Sequence, residues 1–203
     1  MKTMLKCATV LTIFTLFAVS ANAQGENPSG QGGPPVLAKN LVPARLSGRL
    51  TVTSPAFASG KTLDAKYTQN GANMSPPLAW TKGPTGTLSY VVLAEDSGVN
   101  RPEPIVHWIV YNIPSSMRSL PSETQGDTAL PTGVMQGKNV SGSTGYIGPK
   151  PPAGQTHPYH FQVFALNTKL DIDPANADRT TLINAMKGRV LAVGDVVGNY
   201  TGQ

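Results

Sequence analysis

Cysteine is almost absent from this chain: Cys7 is the only one in 203 residues, and histidine occurs three times, as His107, His157 and His160. A single thiol inside an apolar N-terminal run rules out a disulfide framework and leaves no thiolate chemistry for the rest of the chain. Charge is scarce as well, with Asp, Glu, Lys and Arg making up 13% of the residues. The basic residues are scattered, without the clusters that tracking a phosphate backbone requires, so nucleic acid is not expected as a partner. After the first 23 residues no apolar run approaches the roughly 20 residues of a membrane-spanning helix.

The chain opens MKTMLKCATVLTIFTLFAVSANA, with Lys2 and Lys6 before an apolar run and with Ala21 and Ala23 bracketing Asn22. That is the layout of a cleavable secretory signal, predicted over residues 1–23, and it implies a periplasmic or secreted protein. The formal charge of +5 falls to +3 once Lys2 and Lys6 leave. About 180 residues then remain, enough for one domain with an ordinary apolar core.

Residues 24–47 (QGENPSGQGGPPVLAKNLVPARLS) are rich in Gly, Pro and small polar side chains. They read as a flexible leader, because they carry little apolar surface to offset the entropy of ordering. From residue 48 to residue 203 short apolar runs alternate with Gly, Pro, Asn and Ser at intervals of about ten residues, the texture of a mainly β sandwich or barrel. Three runs are the expected core strands: 87–96 (TLSYVVLAED), 105–113 (IVHWIVYNI) and 159–166 (YHFQVFAL). Strict alternation along the second would place Ile105, His107, Ile109 and Tyr111 on one face, with Val106, Trp108, Val110 and Asn112 on the other. A helix is predicted over 179–187, with Asp178 as N-cap and Gly188 as its left-handed stop. A second short turn is expected around 195–200.

The stretch GYIGPKPPAGQTHPYHF, residues 145–161, is open to three readings: a linker, a metal site or a pocket wall. A chelate by His157 and His160 is disfavoured, because three residues apart on a strand places the rings on opposite faces. No His-Glu-x-x-His pattern exists, so no metal and no cofactor are expected. A serine hydrolase using Asp96 and a histidine stays open as an alternative; there is no Gly-x-Ser-x-Gly elbow, yet triads can be assembled from distant residues. If neighbouring strands run antiparallel, Asp96, His107, His157 and Tyr159 converge on one end of the sheet, under a 148–154 loop of glycines and prolines. Imidazoles, a phenol and a glycine N–H around a concavity suit a small anion, and Asp96 can orient an imidazole. Taken singly, each residue has a plainer explanation: a turn-forming aspartate, a core histidine, a capping loop.

Several blocks in order, YTQNGANMSPPLAW, LAEDSGVNRPEPIVHWIVYNIP, GVMQGKNVSGSTGYIGPKPPAGQTHPYHFQVFAL and AMKGRVLAVGDVVGNY, make the chain resemble the phosphatidylethanolamine-binding protein family, in its bacterial Raf kinase inhibitor-like branch. The resemblance implies a β-sandwich-like fold, with a large antiparallel sheet, a smaller sheet and one or two C-terminal helices. It also implies a non-enzymatic protein with an anion pocket for phosphate or a phospholipid headgroup. Carried onto this sequence, the ligand-binding set is Asp96, His107, Gly148, Pro151, Pro152, His157 and Tyr159. The family's Asp-Pro-Asp-Ala-Pro signature reads Asp96-Ser97-Gly98-Val99-Asn100 here, losing the second carboxylate and both prolines. Lys150 stands where relatives often carry a small residue and is expected either at the pocket mouth or in solvent. A protein partner outside the cytoplasm and a homodimer are further expectations drawn from the same resemblance.

Overall fold

In the computed structural model, which describes residues 33–45, 48–122, 130 and 133–203, the three apolar runs form the centre of one large sheet. They are β5 (Ser89–Asp96), β6 (Ile105–Pro114) and β9 (Thr156–Leu166), and β5 lies between the other two, antiparallel to both. Every residue of β5 is buried. Residues 90–94 form a continuous apolar run because both faces of the sheet are covered.

The cover differs on the two sides. On one, a small sheet of β2 (Val52–Thr53), β4 (Leu78–Trp80) and β7 (Ser119–Leu120) packs Val52, Leu78, Trp80 and Leu120 against Tyr90, Trp108, Phe161 and Val163. On the other, the one-turn α1 (Ala38–Leu41) and α2 (Arg179–Met186) bring Ala38, Leu182 and Met186 onto Val91, Leu93, Ile109 and Phe164. The cap of α2 is the expected one, with Asp178 Oδ1 accepting from Thr181 N at 2.8 Å. Gly188 follows at φ +69°.

The large sheet is mixed. β10 (Val190–Thr201) runs antiparallel to β9, while the short β1 (Gly48–Arg49) and β3 (Lys61–Thr62) join β10 in parallel; β8 (Met135–Gln136) extends the far side beyond β6. The turn expected at 195–200 is therefore part of a twelve-residue strand. Its glycines permit close packing: a Cβ at Gly194 would meet Leu50 O at 2.0 Å, and one at Gly198 would meet Leu63 Cδ2 at 2.5 Å.

Strand alternation in β6 is broken. Ala94 pairs with Trp108 and Glu95 with Val106, so His107 is the extra residue of a β-bulge. His107 and Trp108 consequently face the same side, while Val106, Ile109 and Tyr111 face the helices. A second irregularity surrounds Asn112, at φ +58°, whose side chain exchanges two hydrogen bonds with the backbone of Leu170.

The leader expected over 24–47 is ordered where it is described. Leu37, Ala38 and Val42 are buried, and Ala38 N and Lys39 N donate to Glu95 Oε2 and Gln162 Oε1, each at 2.9 Å. Glu95 is fully buried and also accepts from Arg179 Nε and Gln162 Nε2, both at 2.6 Å. A buried carboxylate demands several donors. The strap over 36–42 supplies one of them, a demand that composition alone does not reveal. The rest of that leader, residues 24–32 and 46–47, and the signal at 1–23 lie outside the described residues.

Candidate functional site

The site stands where β5 ends and β9 begins. Asp96, the last residue of β5, is in register with Ile105 on one side and Tyr159 on the other. His157 and Tyr159 lie two apart on β9 and share its face. The bulge turns His107 toward the same place, and its ring meets that of Tyr159 edge to face, with centroids 5.1 Å apart. These four side chains line one cavity of about 470 Å³, together with Ile105, Val140, Pro151, Pro152 and Gln155.

Hydrogen bonds assign the protons. His157 Nδ1 lies 2.8 Å from Asp96 Oδ2; a carboxylate only accepts, so Nδ1 carries the hydrogen. The other oxygen, Asp96 Oδ1, accepts from Gly98 N at 2.7 Å. His107 Nδ1 donates to Ile147 O at 2.7 Å, which leaves Nε2 of the neutral ring as a lone pair. Burial pushes the His107 pKa down, against the opposing pull of the Ile147 carbonyl and the Asp96 carboxylate. Burial first, and then the nearby Asp96 charge, pushes the Tyr159 phenol up, so it stays protonated and can donate.

Two atoms here, His107 Nε2 and Tyr159 Oη, are buried with no hydrogen-bond partner within 3.5 Å, the Asp96 carboxylate standing near enough to act on the phenol. Trp80 Nε1 and Tyr200 Oη share that condition among the described residues, and Tyr200 is in register with His157. Leaving such a group unpaired costs about 1–3 kcal/mol. Both residues line the same cavity, which makes them the candidate acceptor and donor for a polar guest.

Of the expected site residues, Asp96, His107, Pro151, Pro152, His157 and Tyr159 line the cavity, and Gly148 does not. Its N–H is already committed to Asn73 Oδ1 at 2.7 Å, and a Cβ there would come within 2.7 Å of Thr68 Cα and Tyr67 O. Gly148 is glycine because the 67–68 turn presses against it, and it offers no donor to a ligand. His160 is on the opposite face, between Asp195 and Ser97. Lys150 both lines the cavity and is exposed, so the residue stands at the mouth.

Sequence reading missed Gly98 and Gln69. Gly98 seals the pocket against His157: a Cβ there would lie 2.4 Å from the imidazole Cγ. In the sequence it reads as a turn glycine after Asp96-Ser97, and only the packing reveals the contact. Gln69 reaches the cavity while its Nε2 donates to Gly148 O at 2.7 Å, across 79 positions of chain that no local pattern spans. Among the described residues no three His, Cys, Asp or Glu side chains are grouped to hold a metal ion, and no helix is long and apolar enough to cross a membrane.

Comparison with known proteins agrees with this architecture. The family model for phosphatidylethanolamine-binding protein matches residues 53–201. A UPF0098 protein of Methanothermobacter thermautotrophicus is 35% identical over 152 residues, covering 74% of this chain and 98% of the relative. One from Aquifex aeolicus is 36% identical over 155 residues, covering 74% and 88%. Among solved structures, YbcL of Escherichia coli, described as a new member of the mammalian family, superposes with a TM-score of 0.71 at 30% identity, covering 77% of this chain and all of YbcL. A homologue from Chlamydia trachomatis gives 0.68 at 30% identity, with the same coverage. With the family model matching residues 53–201, which include β5, β6 and β9, the strands that carry the pocket, the chain belongs to the phosphatidylethanolamine-binding protein family.

Proposed function

We propose that this is an exported binding protein whose pocket takes a small anion of the phosphate or phospholipid-headgroup type and holds it without chemical change. The observation that carries the reading is the unpaired Tyr159 Oη beside the unpaired His107 Nε2 at the floor of the cavity. A singly protonated phosphate monoester matches that pair: one oxygen accepts from the phenol, and its own hydroxyl donates to the imidazole lone pair. Asp96 disfavours a fully ionised guest, so the ligand either carries a proton or transfers one to His107. Ile105, Val140, Pro151 and Pro152 wall the cavity with apolar surface, and Lys150 adds a cation at its mouth. Such a site, concave and mostly apolar with a few convergent polar groups, fits a small molecule held on a rigid sheet.

Titration with O-phosphoethanolamine, followed by NMR of the imidazole rings, tests this. Saturable shifts at both His107 and His157 are expected. Rings that stay unmoved up to millimolar ligand would refute it. Export is tested separately, by fractionating cells that express the full chain.

A further inference from the structure

On the sheet face opposite the pocket, three side chains form a chain of hydrogen bonds that the anion-binding reading does not use. Ser97 Oγ lies 3.1 Å from His160 Nε2, and His160 Nδ1 lies 3.2 Å from Asp195 Oδ2. The geometry points to a second, separate site: Ser97 as a nucleophile toward activated esters, His160 as its general base, and Asp195 as the group that positions the base.

The protons follow from the partners. Asp195 is held ionised, its pKa lowered to about 2 by the hydrogen bond from His160 and by Lys39, whose Nζ sits 2.6 Å from Oδ2. An ionised carboxylate can only accept, so His160 Nδ1 carries the hydrogen and Nε2 presents its lone pair to the Ser97 hydroxyl. That is the tautomer a general base requires, and nucleophile, base and orienting group stand within hydrogen-bond reach in the right order. None of the three is sealed off: Ser97 is half-buried, and the His160 and Asp195 side chains are 16% and 19% exposed.

The backbone also limits the substrate. Ser97 N is committed to Pro158 O and Gly98 N to Asp96 Oδ1, so the amides flanking the nucleophile are not free to hold an oxyanion. The ester must therefore bring its own good leaving group, as an aryl ester does. Ser97 Oγ bonds to the carbonyl carbon while the Ser97 proton passes to His160 Nε2. The carbon–oxygen bond to the phenol then breaks, and the phenolate receives that proton. Water next attacks the acyl group, giving a proton to His160; the bond from the acyl carbon to Ser97 Oγ then breaks, His160 returns that proton to Oγ, and the carboxylic acid leaves.

The test uses a fluorophosphonate probe and p-nitrophenyl acetate on the folded full-length chain. Peptide mass spectrometry should find the phosphonyl group on Ser97. Labelling and ester hydrolysis should both fall by about 10²-fold in His160→Gln, in line with the usual worth of a general base. Asp195→Asn should lower the rate at least tenfold while thermal unfolding remains cooperative, and Ser97→Cys should restore acyl transfer lost in Ser97→Ala. No label on Ser97, or labelling unchanged in His160→Gln, overturns the assignment. In that event the three groups merely help Lys39 fasten the strap to the sheet.

Discussion

Asp96 Oδ2 and His157 Nδ1 are 2.8 Å apart, with side chains only 4% and 7% exposed, and this pair ties the end of β5 to the start of β9. The bond crosses 61 positions of sequence and defines one wall of the pocket. Replacing Asp96 by Ala leaves a buried imidazole N–H without its acceptor, at a cost of about 1–3 kcal/mol. Urea unfolding should show that loss, and the response of His157 to O-phosphoethanolamine should disappear with it.

Gly98→Ala is expected to do comparable damage without touching a polar group. The added methyl would sit 2.4 Å from His157 Cγ and 2.7 Å from its Cβ, and a ring already bonded to Asp96 cannot yield cheaply. Overpacking of this kind costs about 1–3 kcal/mol. A variant with wild-type stability and an unchanged His157 spectrum would show that the rim gives way more readily than the packing indicates.

Stability should fall in mild acid through His107. Its pKa is lowered in the fold by burial, so the unfolded chain binds the proton more readily than the native one. The contribution is complete above the ordinary histidine value of about 6.5 and declines as pH falls through that value toward the folded one. Asp195, lowered to about 2, acts in a separate window, lost only as pH falls below the ordinary carboxylate range. Urea midpoints between pH 7.5 and 5 should drop for the wild type and drop less for His107→Gln.

Lys150 and His107 should separate in a binding titration. Lys150 is exposed at the mouth, so Lys150→Ala is expected to weaken phosphate binding less than about threefold, an effect that 0.5 M salt erases. His107→Ala removes the buried group proposed to meet the anion and should cost more than tenfold, largely independent of salt. Isothermal titration at two salt concentrations distinguishes the two.

Arg179→Ala would strand the fully buried Glu95 carboxylate without its cation, at a cost of about 3–5 kcal/mol. Because Glu95 also holds Ala38 N, and Arg179 holds Val36 O, the strap should loosen first. Hydrogen exchange at the Ala38 and Lys39 amides should accelerate more than at the β5 amides. Equal acceleration everywhere would mean that the network supports the whole fold and not the strap in particular.

The three core strands and the capped helix after Asp178 were legible in the sequence, and so, on the condition that neighbouring strands run antiparallel, was the gathering of Asp96, His107, His157 and Tyr159 at one end of the sheet. The strands and the helix are matters of local periodicity and cap chemistry carried by neighbouring residues, whereas the strand pairing that joins Asp96 to His157 spans 61 positions. Tertiary structure alone decided the bulge that turns His107 into the pocket, the use of Gly148 and Gly98 as packing surfaces, the order of the strap over Glu95 and the conversion of 195–200 from turn to strand. The alignment of Ser97, His160 and Asp195 belongs to the same group, since these residues stand 63 and 35 positions apart along the chain. Each depends on which distant backbone comes to lie against which side chain, and hydrogen bonds and steric exclusions between segments so far apart leave no periodic mark in the chain.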